Sequence, residues 1–478
     1  MSIRCLKYRL YVLLSVLGFL GSSNYLLAQE KNLLFYNSEE VQIQGYAQAG
    51  LNFVAETNLF WNLADVPELD YDSDTEWIES YLKPGVGFKY SLNTNTNLYA
   101  KISLVGSSTL GTDAFNEGNT GRITLEETHI GFKTNLSDSI IFHTVIGAQE
   151  LKLGTGMLIA NGGSSGFERG ALKFGPRKAW QRSVLIEVDY KKLNGKVFYL
   201  SPNELPSNDT NNKLVGADIS INASNKYIGV SYVNVLASDA PYPKVAQNGQ
   251  GAPIITSGDR EDLNALNLYT RNHPFKGKLK NFFMALDIAY QWNSRINLTS
   301  WGGRIQTGYD LSKIKWKPTL MYTYQVFSGD DPNTEAQERF DPLYFEGSPS
   351  AWSTGSKSSM VFINSNVQSH GLSIRLQPKP KDIITFRYSH IRAQQLQSPI
   401  QFGQAARVEF SDGIPTVVAG VTNKHLADDF FIEYNKVITQ NIYVNAGFSL
   451  SIAGKGIENI VGDTSLWTGA FLNVVFNY

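Results

Sequence analysis

Cysteine is almost missing: the 478 residues contain one, Cys5. No second thiol follows it, so disulfides, thiolate catalysis and cysteine-ligated metals are excluded from the rest of the chain. Net charge is nearly missing too, with 42 Lys and Arg against 43 Asp and Glu. No bulk field therefore favours nucleic acid or an anionic membrane surface. After the first twenty residues no run of about 18 apolar residues occurs, which excludes a bundle of membrane helices. No phosphate-cradling glycine loop follows a strand and opens a helix, so nucleotide binding has no motif to rest on.

What is present is aromatic and glycine-rich. Aromatics make up 12%, with 24 Tyr and 41 Gly, at only 42% hydrophobic content. That mixture suits a wall with one lipid face and one wet face. At the start, Arg4, Lys7 and Arg9 precede an apolar run from Leu10 to Leu20, followed by Gly21, Ser22, Ser23 and Asn24. This pattern reads as a signal peptide over residues 1–28, cut after Ala28, although Leu26 is larger than the usual small residue at that position. Residues 29–478 then form the mature domain.

Lipid admits only helices and closed barrels. Segments of about 10 residues with period-two alternation are abundant here. In one, Leu82, Pro84, Val86, Phe88 and Tyr90 oppose Lys83, Gly85, Gly87 and Lys89. In another, Met284, Leu286, Ile288 and Tyr290 oppose Asp287 and Gln291. Trp316, Leu320, Tyr322 and Tyr324 oppose Lys317, Thr319, Thr323 and Gln325. The last segment, Ala470 to Tyr478, ends on an aromatic, the kind of strand that barrel-assembly machinery reads.

Strand centres fall near residues 48, 84, 102, 128, 144, 186, 197, 217, 231, 267, 287, 305, 321, 371, 387, 433, 446 and 472. The chain is therefore expected to be all-β, a transmembrane antiparallel barrel of about eighteen strands. Short turns at 91–95, 135–138, 193–194, 223–225, 312–314, 378–381 and 439–440, and a longer one at 273–280, alternate with longer loops such as 55–76, 152–180, 237–261, 328–365 and 393–427. That asymmetry predicts short periplasmic turns and long extracellular loops. The expected location is the outer membrane of a Gram-negative bacterium. Apolar rows should face lipid and polar rows the lumen.

Three stretches resemble the alginate-export family of outer-membrane barrels. They are Gly147-Ala148-Gln149-Glu150-Leu151 with Gly154, Gly156 and Leu158; Phe340-Asp341-Pro342-Leu343-Tyr344 shortly after Ser328-Gly329-Asp330-Asp331; and His425-Leu426-Ala427-Asp428-Asp429-Phe430. The resemblance implies an eighteen-stranded pore for an anionic polysaccharide, with basic residues at a constriction. Ala148 stands where that resemblance implies a basic residue, which weighs against alginate itself as the solute.

Alternation assigns Lys83, Lys101, Arg271, Arg304, Lys317, Arg375 and Arg387 to the lumen, with Asp287 and Glu433 among the acids facing them. Glu127, Glu187, Asp189 and Asp310 fall on the same phase. Such basic residues attract carboxylates, and neighbouring acids hold their long side chains in place. The expected function is passive passage of an anionic polysaccharide, oligosaccharide or sugar acid. An uptake porin for small solutes is the alternative, and a barrel enzyme or surface-binding scaffold a more remote one. His129 and His143 lie near each other but lack a partner serine, so they read as structural and no catalysis is expected. Asp70, Asp72, Asp74 and Glu76 space carboxylates like a calcium loop, but without the EF-hand glycine or flanking helices they read as a solvated loop. No metal, cofactor or nucleic acid is expected; the partners are the solute, outer-membrane lipid and the assembly machinery.

Overall fold

A computed structural model describes residues 33–58, 74–113, 118–163, 166–223, 226–347, 352–355, 362–400, 407–411, 414–418, 420–462 and 465–478. The leader expected over 1–28, with Cys5, and Asp70 and Asp72 of the acidic loop lie outside the described residues.

The first seven strands are β1 (Leu33–Asn37), β2 (Val41–Thr57), β3 (Thr75–Ser91), β4 (Thr96–Gly111), β5 (Gly121–Ser137), β6 (Ile140–Glu150) and β7 (Ala179–Tyr190), with a short helix, α1 (Gly166–Arg169), between the last two. Next come β8 (Leu193–Ser201), β9 (Lys213–Ala223), β10 (Lys226–Ala237), β11 (Asn264–Asn272), β12 (Phe282–Asn293), β13 (Leu298–Asp310) and β14 (Thr319–Phe327). The last are β15 (Val367–Lys379), β16 (Asp382–Ala393), β17 (Arg407–Ser411), β18 (Ile414–Val418), β19 (His425–Val437), β20 (Ile442–Ala453), a helix α2 (Lys455–Val461), and β21 (Trp467–Asn477).

From β2 onward each strand pairs antiparallel with the next, and β16 passes directly to β19. The cylinder closes where β21 meets β2, from Gln48↔Asn477 to Thr57↔Thr468. The barrel therefore has eighteen strands; β1 adds to an edge of β2, and β17 and β18 form a separate hairpin. Closure matters because lipid offers no partner to an open sheet edge.

All eighteen expected centres fall inside barrel strands. The side chains alternate as a membrane wall requires. On β12, Met284, Ile288 and Tyr290 are exposed while Asp287 and Gln291 are buried. The exposed apolar rows form an outer belt of the kind a bilayer covers.

Several connections are shifted from expectation, three of them with consequences. The β7–β8 turn lies at 191–192, because β8 already pairs at Leu193. The β13–β14 connection runs over 311–318, so Trp316 and Lys317 belong to a turn and not to a strand. The loop between β12 and β13 has only residues 294–297, because the two strands pair out to Asn293↔Leu298. Long and short connections therefore do not alternate without a break.

The core sits inside the barrel, in its outer half. Inward residues near the outer strand ends, such as Leu200, Leu214, Leu298, Phe327, Val367 and Ile391, are buried. They pack against Met157, Ile159, Tyr242, Phe340, Trp352 and Ile457 from the loops and α2. Here the inner face of the wall is apolar and folded loops cover it.

Deleting residues 476–478 is expected to prevent assembly. Phe476 pairs with both Ala49 and Ile442, and Tyr478 exchanges two backbone hydrogen bonds with Ala47 across the closing seam. A heat-modifiable truncated protein reaching the membrane in normal amount would contradict this.

Candidate functional site

The loop 151–178 crosses the lumen. Leaving β6, it buries Leu151 and Leu153, then presses Gly154 against the Tyr269 ring of β11. Gly154 has φ +50, and a Cβ there would meet that ring at 2.7 Å, so only glycine fits. Thr155 donates to Asp287 of β12, and Met157, Leu158 and Ile159 enter the core. At its other end the loop docks half-way round the barrel. Glu79 of β3 accepts the backbone N–H of Lys173 at 2.8 Å and of Phe174 at 3.0 Å, and Lys173 pairs with Glu56 at 2.8 Å.

The buried Arg177 donates to Thr124, Ser107 and the carbonyls of Val105 and Arg122, which fixes the return of the loop to β7. Burial without a carboxylate partner among these contacts draws its pKa down to about 10.

A second loop, 328–366, folds onto the first. Trp352 Nε1 donates to the Thr155 carbonyl at 2.9 Å, Lys152 pairs with Glu346, and Ile159 bridges to Tyr344. With residues of the loop 238–263 such as Tyr242 and Leu263, they pack into the outer half of the lumen.

Beneath the loops two cavities remain. The larger, about 1000 Å³, lies under residues 174–178 against β2–β6 and β19–β21; five lysines (83, 101, 178, 381 and 436) and two glutamates (127 and 150) line it. The smaller, about 610 Å³, lies beside residues 152–155 and is lined by Lys152, Lys191, Lys192, Lys196 and Arg304 against Asp189 and Asp218. Both reach turn residues at the short-turn end of the barrel, Lys381 in one and Lys192 in the other.

The expected lumen residues divide into groups. Lys83 sits 2.7 Å from Glu150, 3.6 Å from Glu126 and 3.9 Å from Glu127, while Lys101 lies 2.8 Å from Glu127 and over the Tyr46 ring. Across the lumen, Arg304 is 3.8 Å from Asp287 and lies over Trp352 at 3.6 Å. Arg304 faces inward, but the loop covers it. Arg271 lies over Phe283, Arg387 lies over Phe431, and Glu433 accepts from Asn445 at 2.9 Å. Arg375 is exposed on the inward phase near the turn end of β15. Lys317 corrects the expectation: it lies exposed in the 311–318 turn with φ +41, since the strand it was assigned to begins only at Thr319.

Several charged residues of the site, among them Glu126, Lys178, Lys196, Lys381 and Lys436, are outside the set that alternation assigned to the lumen. Glu126 faces inward beside Glu127 because the β4–β5 register slips between Ile102 and Leu104, a bulge that breaks period two. Lys178 lies on a loop, where no period applies. His129 and His143 gather around Tyr99, with His143 also 3.1 Å from Glu187 and His129 bound to the Ala148 carbonyl. Asp74 accepts the Asn58 N–H at 2.8 Å.

No protein-family model matches the chain, and no curated protein sequence matches it. Solved structures do. OccK5 (OpdH) of Pseudomonas aeruginosa superposes with a TM-score of 0.51 at 8% identity, covering 91% of this chain and 98% of that one. OmpF of Salmonella typhi, solved in complex with daunomycin, gives 0.45 at 10% identity over 93% and 100%. The chain has the fold of an outer-membrane porin-type barrel, and an outer-membrane location is consistent with that fold.

Proposed function

We propose that this barrel is a passive, anion-preferring pore of a Gram-negative outer membrane. The observation that carries the reading is the excess of basic residues lining both cavities, five to two acidic in each, with Lys178, Lys381 and Lys436 of the larger one outside its ion pairs. In a narrow aqueous space such an excess raises the local concentration of carboxylates and repels cations. The solutes that fit are sugar acids and short acidic oligosaccharides. The inward loops favour small solutes entering by diffusion over a long polymer. The resemblance to alginate exporters favours an anionic polysaccharide, which is the second reading and requires the loops to move aside. Diffusion needs no catalytic group or cofactor. Lipid covers the belt, and the barrel-assembly machinery inserts the chain through its last strand.

The test is a reversal potential across a planar bilayer under a salt gradient, repeated with oligouronates and neutral oligosaccharides as blockers. Anion preference, with block by short oligouronates at concentrations where neutral sugars do nothing, is the expected result. Cation preference would remove the reading. Block that strengthens steadily with oligouronate length would favour the polymer over the small solute.

A further inference from the structure

The outer surface carries a group that the pore does not use. His390 of β16 and His425 and Asp428 of β19 bring two imidazoles and a carboxylate together, their ligand-capable atoms all within 4.8 Å of one another. His390 Nδ1 lies 2.8 Å from one Asp428 oxygen and His425 Nε2 lies 3.0 Å from the other. The two rings stack with centroids 4.8 Å apart.

Regular alternation would not converge these residues. His425 and Asp428 are three apart and would point to opposite faces of a regular strand. The β16–β19 register slips here: Ile391 pairs with Ala427 but Arg392 pairs with His425, leaving Leu426 as an extra residue. The bulge turns His425 to the face of Asp428, and bulges commonly re-aim side chains in this way. His390 and Asp428 are direct cross-strand partners.

The group faces outward. Phe430 and Ile432, on the same phase as Asp428, are exposed, while Asp429 and Phe431 are buried inward. It also sits at the outer rim, since β16 ends at Ala393 and β19 begins at His425. One step below are Tyr322, Tyr388 and Phe430, aromatics of the kind that mark a membrane interface. The three side chains are a quarter to a third exposed, so a dissolved ion can reach them.

We propose that His390, His425 and Asp428 form a binding site for a borderline divalent cation of the zinc type. Two imidazole nitrogens and a carboxylate oxygen are a donor set zinc accepts, at bonds of about 2.0–2.2 Å, which puts neighbouring donors about 3.3 Å apart. Two N···O spacings, 2.8 and 3.0 Å, are already at or below this, and the remaining donor spacings, all within 4.8 Å, have to close by about 1.5 Å at most. Three ligands of this kind leave a fourth tetrahedral position for a water or another oxygen donor. Tyr388 Oη donates to Asp428 at 2.7 Å and orients the carboxylate, the outer support that metal ligands usually have. Calcium and magnesium want a shell of six or more oxygens, which one carboxylate does not supply.

The tag-free barrel, refolded in detergent and stripped with chelator, is titrated with zinc chloride alone and followed by calorimetry and metal analysis. One zinc per barrel is expected. Asp428→Asn should weaken binding at least tenfold, and His390→Ala with His425→Ala should abolish it. Cobalt(II) should give the visible absorption of a tetrahedral site in the wild type only. Heat-modifiable migration reports folding of each variant, and the near-isosteric Asp428→Asn keeps the test decisive if the double variant fails to fold. No stoichiometric zinc on the wild type, or equal affinity in Asp428→Asn, would make the group a hydrogen-bond network and overturn the proposal.

Discussion

Replacing Asp341 with alanine is expected to release the loop 328–366 from the lumen and raise single-channel conductance severalfold. Asp341 is fully buried, and its carboxylate accepts from Arg260 Nε at 2.6 Å and from a second Arg260 nitrogen at 3.2 Å. It also accepts the Leu343 N–H, which shapes the chain around Pro342. Its backbone clips onto the wall: Gln291 of β12 donates to its carbonyl at 2.6 Å and accepts its N–H at 2.8 Å. Burial disfavours the Arg260 charge, but Asp341 more than offsets this and holds the guanidinium above its ordinary value. Removing the carboxylate leaves that charge buried and unpaired, which costs about 3–5 kcal/mol. That is comparable to the whole margin by which a docked loop stays docked.

The barrel should survive, because the pair joins two loops and no strand ladder depends on it. Strand content and heat-modifiable migration therefore stay as in the wild type, while protease sensitivity appears within 328–366. Asp341→Asn, which can still accept from Leu343, should fall between. Unchanged conductance and protease resistance in Asp341→Ala would mean that Phe340, Trp352 and their apolar neighbours hold the loop unaided.

That prediction concerns a segment the sequence marked without explaining. Phe340 to Tyr344 stood out only as a family-like stretch, and its role as a buried anchor depends on Arg260 and Gln291, far away in the chain. The strands were legible because one face of each meets lipid, and lipid tolerates no error in period two. Where that constraint ends, so does legibility. Glu126 turns inward at a bulge, Lys317 sits in a turn, and His425 reaches the outer face only through the extra Leu426. Phe327, Val367 and Ile391 are apolar yet inward, because loops and not water cover the inner wall at that height. Alternation reports which face a residue is on; it does not report what covers that face.

The same distinction moves the expected seat of selectivity. Arg304 is 8% exposed and held between Asp287 and Trp352, so its charge is spent on holding the loop. Lys83 is likewise surrounded by three glutamates. Lys178, Lys381 and Lys436 line the larger cavity outside these pairs. Changing these three together to glutamine is expected to abolish most of the anion preference, a several-fold fall in the anion-to-cation permeability ratio. Strand content and unfolding temperature should move little, since Lys381 is exposed, Lys178 and Lys436 are only half-buried, and charges outside ion pairs usually contribute within about 0.5 kcal/mol. The effect should be largest in dilute salt. At 0.1 M the Debye length is about 10 Å, so each lysine acts on ions within its own cavity and little beyond. Arg304→Gln is the contrast. It should leave Asp287 buried without its partner, loosen Trp352 and the loop above it, and change conductance more than selectivity. If the triple lysine variant keeps the wild-type reversal potential while Arg304→Gln shifts it, the constriction lies at the loop and not in the cavity. The lysine excess would then say nothing about which solutes pass.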